Sequence, residues 1–362
     1  MEGKSGSPGS KRINRNDLYI SGRDYVILTL CYGYSLAYSL THSLTHSLAH
    51  SLTHSLTHSL THSLTQVSVF YATGSYIGAV VEHNIWLGND SNASPQEKLD
   101  YNLLIYTEHI KLAKSKDAEV IVFPEFGLTA TENTKERTDL YPFAVRIPSP
   151  STLAPCDDSS LNNSSSSLNI LYTMSCAARE NKILVLINTI DWVDCDQSID
   201  ASCPADSHYQ YNTDILFNEN GEIVAKYHKS HEWPGFADVY DQVLEPSQVT
   251  YKSSFGVTFG LFICFDIMFD DPPKVLRKEG VEHFLYAVKQ GEIGLNTLIK
   301  DWSKHQKAVV LAANLGAGSR LSSDKGSDCS GIIVNGTIVE AAKYTLGTDY
   351  PNENILVATI MT

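Results

Sequence analysis

From Tyr76 onward the apolar positions follow two spacings, one helical and one extended. "SPQEKLDYNLLIYTEHIKLAKSK" places Leu99, Leu103, Tyr106, Ile110 and Ala113 on one stripe, which predicts an amphipathic helix. Its start is marked three times over: Ser94 can cap, Pro95 suits the first helical position, and Glu97 completes a capping box. "LNILYTMSCAARENK" predicts a second helix, and "PPKVLRKEG" a short one closed by Gly280. A further helix is expected near Thr297–Lys307. Short apolar runs separate these segments. "YIGAVVEHNIW", "AEVIVFPE", "ILVLINTI", "GVTFGLFICFDI", "VEHFLYAV", "AVVLAANLG", "GIIVNGTIVEA" and "ENILVATI" read as strands. "TDILFNENGEIVAKYHK" reads as a hairpin turning at Asn220–Gly221. Strands alternate with helices but hairpins intervene, so the expectation is one α/β domain with a mixed sheet or two stacked sheets.

The first 75 residues follow neither pattern. Between Tyr25 and Val81 there is no Asp, Glu, Lys or Arg. Lys11, Arg12, Arg15 and Arg23 precede the apolar run "YVILTLCYGYSLAYSL", as in a signal peptide; a disordered leader is the alternative. The run is too short and too rich in Ser and Tyr for a good membrane span. It leads into "SLTHSLTHSLAHSLTHSLTHSLTHSLTQ", with six histidines, His42 to His62, four residues apart. On a helix each histidine would sit about 40° round from the last, so the row smears rather than forming one ligand set. Neighbouring pairs could chelate a metal, but no carboxylate or cysteine joins them. Because TCA CTC ACT CAC encodes Ser-Leu-Thr-His as a repeated TCAC, the segment reads as an expanded tetranucleotide repeat, with metal binding as the rival. The expected organisation is a leader with its repeat over 1–75 and a globular domain over 76–362.

Composition narrows the function. The chain of 362 residues has a formal charge of −14, which argues against nucleic-acid binding. Seven cysteines are an odd number, so at least one thiol is expected free. Sequons at Asn89, Asn92, Asn162, Asn163 and Asn335 matter only if the chain enters the secretory pathway.

Three polar residues stand at the ends of apolar strands, where α/β folds place their chemistry. Glu125 follows "VIVFP", Lys229 ends "IVAKYHK", and Cys264 ends "GLFIC". Taken singly, each has a plain reading: a helix cap, a solvated edge lysine, a small core residue. Together, "FPE", "YQYNTDILFNENGEIVAKYHK" and "FICFDIMFDDP" resemble the nitrilase superfamily, from about Tyr76 to Pro273. "CDQSIDASCPADSHYQYNTD" is most similar to its vanin (pantetheinase) and biotinidase branch.

The resemblance implies a nitrilase-like four-layer α-β-β-α sandwich and a Glu–Lys–Cys triad at Glu125, Lys229 and Cys264. It implies Cys264 as nucleophile, Glu125 as general base and acid, and Lys229 as oxyanion stabiliser. The backbone N–H of Phe265 would be a second oxyanion donor; Glu232, in a loop that departs from the branch, is only a secondary candidate for a supporting carboxylate. Disulfides Cys156–Cys176 and Cys195–Cys203 follow from the same resemblance, with a pair of reduced thiols at Cys195 and Cys203 as the alternative; Cys264 stays free, Cys31 lies in the leader and Cys329 has no evident partner. It implies no cofactor and no metal. The partner it implies is a small-molecule amide, with a homodimer as a further expectation. The expected activity is that of a secreted amidohydrolase cleaving pantetheine to pantothenate and cysteamine. Biocytin or another biotinyl amide is the alternative substrate, and an inactive nitrilase-fold binding protein the alternative class. Two segments depart from the branch, "LYAVKQGEIGLN" and "SHEWPGFADVYDQ", and they put specificity in question. No hydrophobic tail for a lipid anchor is seen before Thr362.

Overall fold

The structure, a computed structural model, describes residues 74–85, 93–131, 133–162, 167, 169–289, 295–316, 330–341 and 354–362. The histidine repeat, the leader up to residue 73, Cys31 and Cys329 lie outside the described residues. All the described residues fall in one compact unit, Ala72–Thr362.

Strand β1 (Ser75–Glu82) opens this unit. Helix α1 (Pro95–Ser115) starts as its sequence predicts. The Glu97 N–H donates to Ser94 Oγ at 3.2 Å, and the Ser94 N–H donates to Glu97 Oε2 at 2.8 Å. Leu99, Leu103, Tyr106, Ile110 and Ala113 are all buried. Strands β2 (Val120–Val122) and β3 (Ala144–Val145) follow, then α2 (Asn169–Asn181) and β4 (Leu184–Asp194). The hairpin β5 (His208–Phe217) and β6 (Ile223–His228) turns through Gly221, whose φ of +79° suits glycine. Next come β7 (Thr250–Lys252), β8 (Thr258–Ile263) and α3 (Pro273–Lys278), the last followed by Gly280 at φ +98°. Strand β9 (His283–Val288), helix α4 (Lys300–Gln306) and strand β10 (Val309–Asn314) precede the last three strands. These are β11 (Gly331–Val334), β12 (Thr337–Ala341) and β13 (Asn354–Met361). "GIIVNGTIVEA" is therefore two strands rather than one. Asn335 and Gly336 both have positive φ, +50° and +77°, which folds the segment into a tight hairpin.

The strands form two sheets. The first has the order β13-β1-β2-β4-β5-β6, with β3 alongside β4; the second has the order β12-β11-β10-β9-β8-β7. In each, a parallel centre is flanked by antiparallel strands: β1, β2 and β4 are parallel in the first, β8, β9 and β10 in the second.

Alternation along the strands sorts their side chains into two cores. Ala79, Val81, Ile121, Val185, Ile187 and Ile215 pack with the apolar stripes of α1 and α2. Their neighbours Val80, Val120, Val122, Leu184, Leu186 and Leu216 face the second sheet. Beyond that sheet, Leu276 of α3 and Trp302 of α4 close the last layer. The order helix, sheet, sheet, helix gives the α-β-β-α sandwich. Each fully buried Leu, Ile or Phe contributes about 1.5–3 kcal/mol, an upper estimate given a compact unfolded chain. The sheets approach closely at Gly78, where a Cβ would meet Leu311 of the facing sheet at 2.8 Å, with Ile360 of the neighbouring strand β13 at 2.9 Å.

Both disulfides are present: Cys156–Cys176 and Cys195–Cys203. The first ties the turn Pro155–Asp157 to α2, and the second closes the loop between β4 and β5. No helix among the described residues is long and apolar enough to cross a membrane.

Candidate active site

Glu125, Lys229 and Cys264 each sit just past the C-terminal end of a strand, β2, β6 and β8. The first two strands belong to one sheet and the third to the other. Packing the sheets face to face brings the three ends together. Lys229 Nζ donates to Glu125 Oε1 at 2.6 Å, and both side chains are buried. Glu125 Oε1 also accepts from Asn212 Nδ2 at 2.8 Å, and Oε2 accepts from the Lys289 N–H at 3.0 Å. The Lys289 carbonyl in turn lies 3.5 Å from Cys264 Sγ. One peptide segment at the end of β9 thus touches both the carboxylate and the thiol.

Cys264 is the free cysteine among the described residues. Its φ is +43°, a left-handed conformation that costs a non-glycine residue about 1–3 kcal/mol. The turn that holds it has two side-chain ties. Tyr286 Oη donates to the Cys264 carbonyl at 2.7 Å, and the Ile263 N–H donates to Asp266 Oδ2 at 2.9 Å. Burial pushes the thiol pKa up; the Glu125 charge adds to the rise, while the Lys229 charge opposes it. A thiolate here needs Lys229 beside it and a base to take the proton.

Burial alone would lower the Lys229 pKa, but the charge of Glu125, joined by Glu232 when that group ionises, outweighs it and holds the ammonium well above its ordinary value. Glu232 is buried, and its Oε2 lies 3.5 Å from Lys229 Nζ. Neither Glu232 oxygen takes a shorter hydrogen bond among the described residues. Burial raises its pKa to about 8; Lys229 opposes the rise and Glu125 adds to it. One ammonium therefore faces two carboxyl groups, of which Glu232 keeps its proton near neutral pH.

The sequence reading did not single out the residues that hold this set in place. Asn188 Oδ1 accepts from the Phe126 N–H at 3.0 Å, which fixes its amide the other way round toward Asn212 Oδ1 at 2.8 Å and Asp214 Oδ1 at 2.9 Å. Asn212 then passes its own Nδ2 to Glu125. Asp214 is fully buried, and burial keeps its carboxyl well above the usual range. The signal was present: "INT" and "YNTD" put polar side chains on buried faces of central strands. Such groups stay only where hydrogen bonds satisfy them. The departing segment "LYAVKQGEIGLN" ends β9 at Val288, and its residues 290–294 lie outside the described residues.

Three comparisons bear on this geometry. The profile of the family described as "Carbon-nitrogen hydrolase" matches residues 79–314, beyond the point at Pro273 where the motif resemblance weakens. The biotinidase of Takifugu rubripes is 32% identical over 248 residues, 67% of this chain and 47% of that protein. The pantetheinase of Homo sapiens is 36% identical over 211 residues, 57% of this chain and 40% of that protein. The chain spans less than half the length of these relatives. Among solved structures, Nit3 of Saccharomyces cerevisiae, a member of branch 10 of the nitrilase superfamily, matches with a TM-score of 0.56. It is 19% identical, over 79% of this chain and 90% of that one.

Proposed function

Since the chain belongs to the carbon-nitrogen hydrolase family, in the vanin and biotinidase branch of the nitrilases, we propose that it hydrolyses a linear amide through Cys264. The observation that carries this reading is the meeting of a buried carboxylate, an ammonium 2.6 Å from it and a free thiol around the Lys289 peptide. Glu125 takes the Cys264 proton as Sγ attacks the amide carbonyl. The carbonyl oxygen gains the negative charge, and Lys229 Nζ with the Phe265 N–H stabilises it. Collapse breaks the carbon–nitrogen bond, and Glu125 returns the proton to the leaving amine. The acyl group remains as a thioester on Sγ. Water then attacks the thioester, giving its proton to Glu125, and the acid leaves while Cys264 recovers the thiol. Protonated Glu232 keeps the pocket from carrying two carboxylate charges against one ammonium.

The preferred substrate is pantetheine, yielding pantothenate and cysteamine. A biotinyl amide such as biocytin is the second reading, favoured by the longer match to the Takifugu rubripes biotinidase. Two disulfides support an oxidising compartment and hence secretion. Residues 76–362 form the hydrolase domain in this reading, and 1–75 a leader. The test is hydrolysis of pantetheine and biocytin, side by side, by the purified full chain and by Cys264→Ala. Cleavage of one substrate that the variant loses supports the reading. Full activity in the variant, or no cleavage of either amide by the parent chain, overturns it.

A further inference from the structure

Asp266 is fully buried two residues after Cys264, and four donors converge on its carboxylate. Oδ2 accepts from the Ile263 N–H at 2.9 Å and from Tyr227 Oη at 2.7 Å. Oδ1 accepts from the His231 N–H at 2.8 Å and from His231 Nδ1 at 3.0 Å. These donors fall into two groups. Ile263 is the residue before the nucleophile. Tyr227 and His231 stand two residues before and two residues after Lys229. One carboxylate thus grips the chain on both sides of the lysine and fastens it to the nucleophile's turn. Ser230 adds to the grip, since its N–H donates to Tyr227 Oη at 3.1 Å. The His231 ring also stacks on Phe269, which follows the same turn, at 3.7 Å between centroids.

The lysine needs such a fastening. Its shortest contacts are with the Glu125 carboxylate at 2.6 Å, which pulls on the ammonium, and with the Glu232 carboxyl at 3.5 Å. Neither carboxylate belongs to the nucleophile's turn. We propose that Asp266 is a positioning residue that sets the place of the Lys229 ammonium relative to the Cys264 thiol. The proposal rests on the amide-hydrolase reading for its purpose but not for its test. The titratable groups acting on the thiol are Glu125 from the end of β2, Lys229 from the end of β6 and Tyr286 from β9; around them stand Glu232 beside Lys229, Asp266 in the thiol's own turn and His231 on Asp266. Lys229 is the cation of this set, so its displacement makes the thiolate harder to form.

The experiment is the rate of iodoacetamide alkylation at Cys264 against pH, read by peptide mass in the full chain without substrate. Asp266→Asn, Tyr227→Phe and His231→Gln are compared with Ser303→Ala. The last removes a buried hydrogen bond on α4, from Ser303 Oγ to the Ala308 carbonyl at 2.6 Å, and serves as a stability control. Tyr227→Phe and His231→Gln keep the Asp266 charge, so loosening the lysine should move their alkylation midpoints up by about half to one pH unit; in Asp266→Asn the loss of that carboxylate's own charge beside the thiol opposes the rise, and this variant is read by kcat. On a substrate that the parent chain cleaves, kcat should fall about 10- to 100-fold in Asp266→Asn with KM nearly unchanged. Ser303→Ala should lower Tm and leave the midpoint in place. Should Asp266→Asn fail to fold, Tyr227→Phe and His231→Gln carry the comparison. Midpoints equal to that of the parent chain in folded Tyr227→Phe and His231→Gln overturn the proposal, whatever happens to Tm. Midpoints that rise in a chain cleaving neither pantetheine nor biocytin support the clamp and count against the proposed activity.

Discussion

The left-handed backbone of Cys264 is held by contacts on either side of it, the Tyr286 hydroxyl and the Asp266 carboxylate. Cys264→Ser keeps the geometry but replaces the thiol with a poorer nucleophile. Amide turnover should fall at least ~1000-fold while Tm stays within a few degrees, as steady-state kinetics and a melt would show. Glu232 gives a prediction on pH. Its carboxyl titrates near 4.5 in the unfolded chain and about 8 in the folded one, so between these values the native state holds a proton that the unfolded state has released. Stability contributed by this residue is therefore fullest below pH 4.5 and declines as pH rises to about 8. Glu232→Gln should flatten the slope of urea midpoints over that interval; an unchanged slope would remove Glu232 from the account. At this scale the meeting of Glu125, Lys229 and Cys264, the proposed triad, could be anticipated because all three stand at strand ends beside recognisable motifs. Lys289 was not legible, because it acts through its main chain, and a peptide N–H and carbonyl leave no mark in sequence. Asp266 was visible in "CFDI" as a letter, but its four donors come from segments that only the fold brings together.

Among the elements, α1 shows the closest agreement between pattern and structure. Cap, first-turn proline, capping box and apolar stripe all point the same way. Ser94→Ala should cost about 1 kcal/mol in chemical denaturation, with catalysis at the distant strand ends unaffected. Gly78 is the opposite case, since nothing in "YIGAVV" shows that β1 lies against another sheet. Its missing side chain leaves room for Leu311 and Ile360, so Gly78→Val should destabilise by about 1–3 kcal/mol or more. A melt matching that of the parent chain would mean that the sheets can part at no cost. The strand assignments from apolar runs were legible because central parallel strands are buried on both faces and read as continuous hydrophobic stretches. The apolar pattern alone hides the division of "GIIVNGTIVEA" at Asn335–Gly336, although Asn-Gly is the strongest short hairpin signal. Its flanking residues were apolar enough to read through.

For the whole molecule, the sandwich puts Glu125, Lys229 and Cys264 at the seam between two sheets. Their spacing depends on how the sheets pack rather than on any one loop. The disulfides lie elsewhere, on α2 and on the loop after β4, and should stabilise without shaping the chemistry. Replacing Cys156 and Cys176 together by Ser should lower stability by roughly 3 kcal/mol, the loop-entropy scale for a closure of this size. Turnover of the folded fraction should stay near the parent value; a selective loss of kcat would tie that bond to the site. The order of the first sheet has a different consequence. Strand β1 pairs along its whole length with β13, and the Thr362 N–H donates to the Gly74 carbonyl at 3.0 Å. On the ribosome, β1 must wait for β13. Until β13 emerges, β1 carries an open edge, and at about 5–20 residues per second that interval lasts tens of seconds. A nascent chain held just short of Asn354 should therefore bind chaperones that protect exposed strand edges, and release them once the final strand is translated.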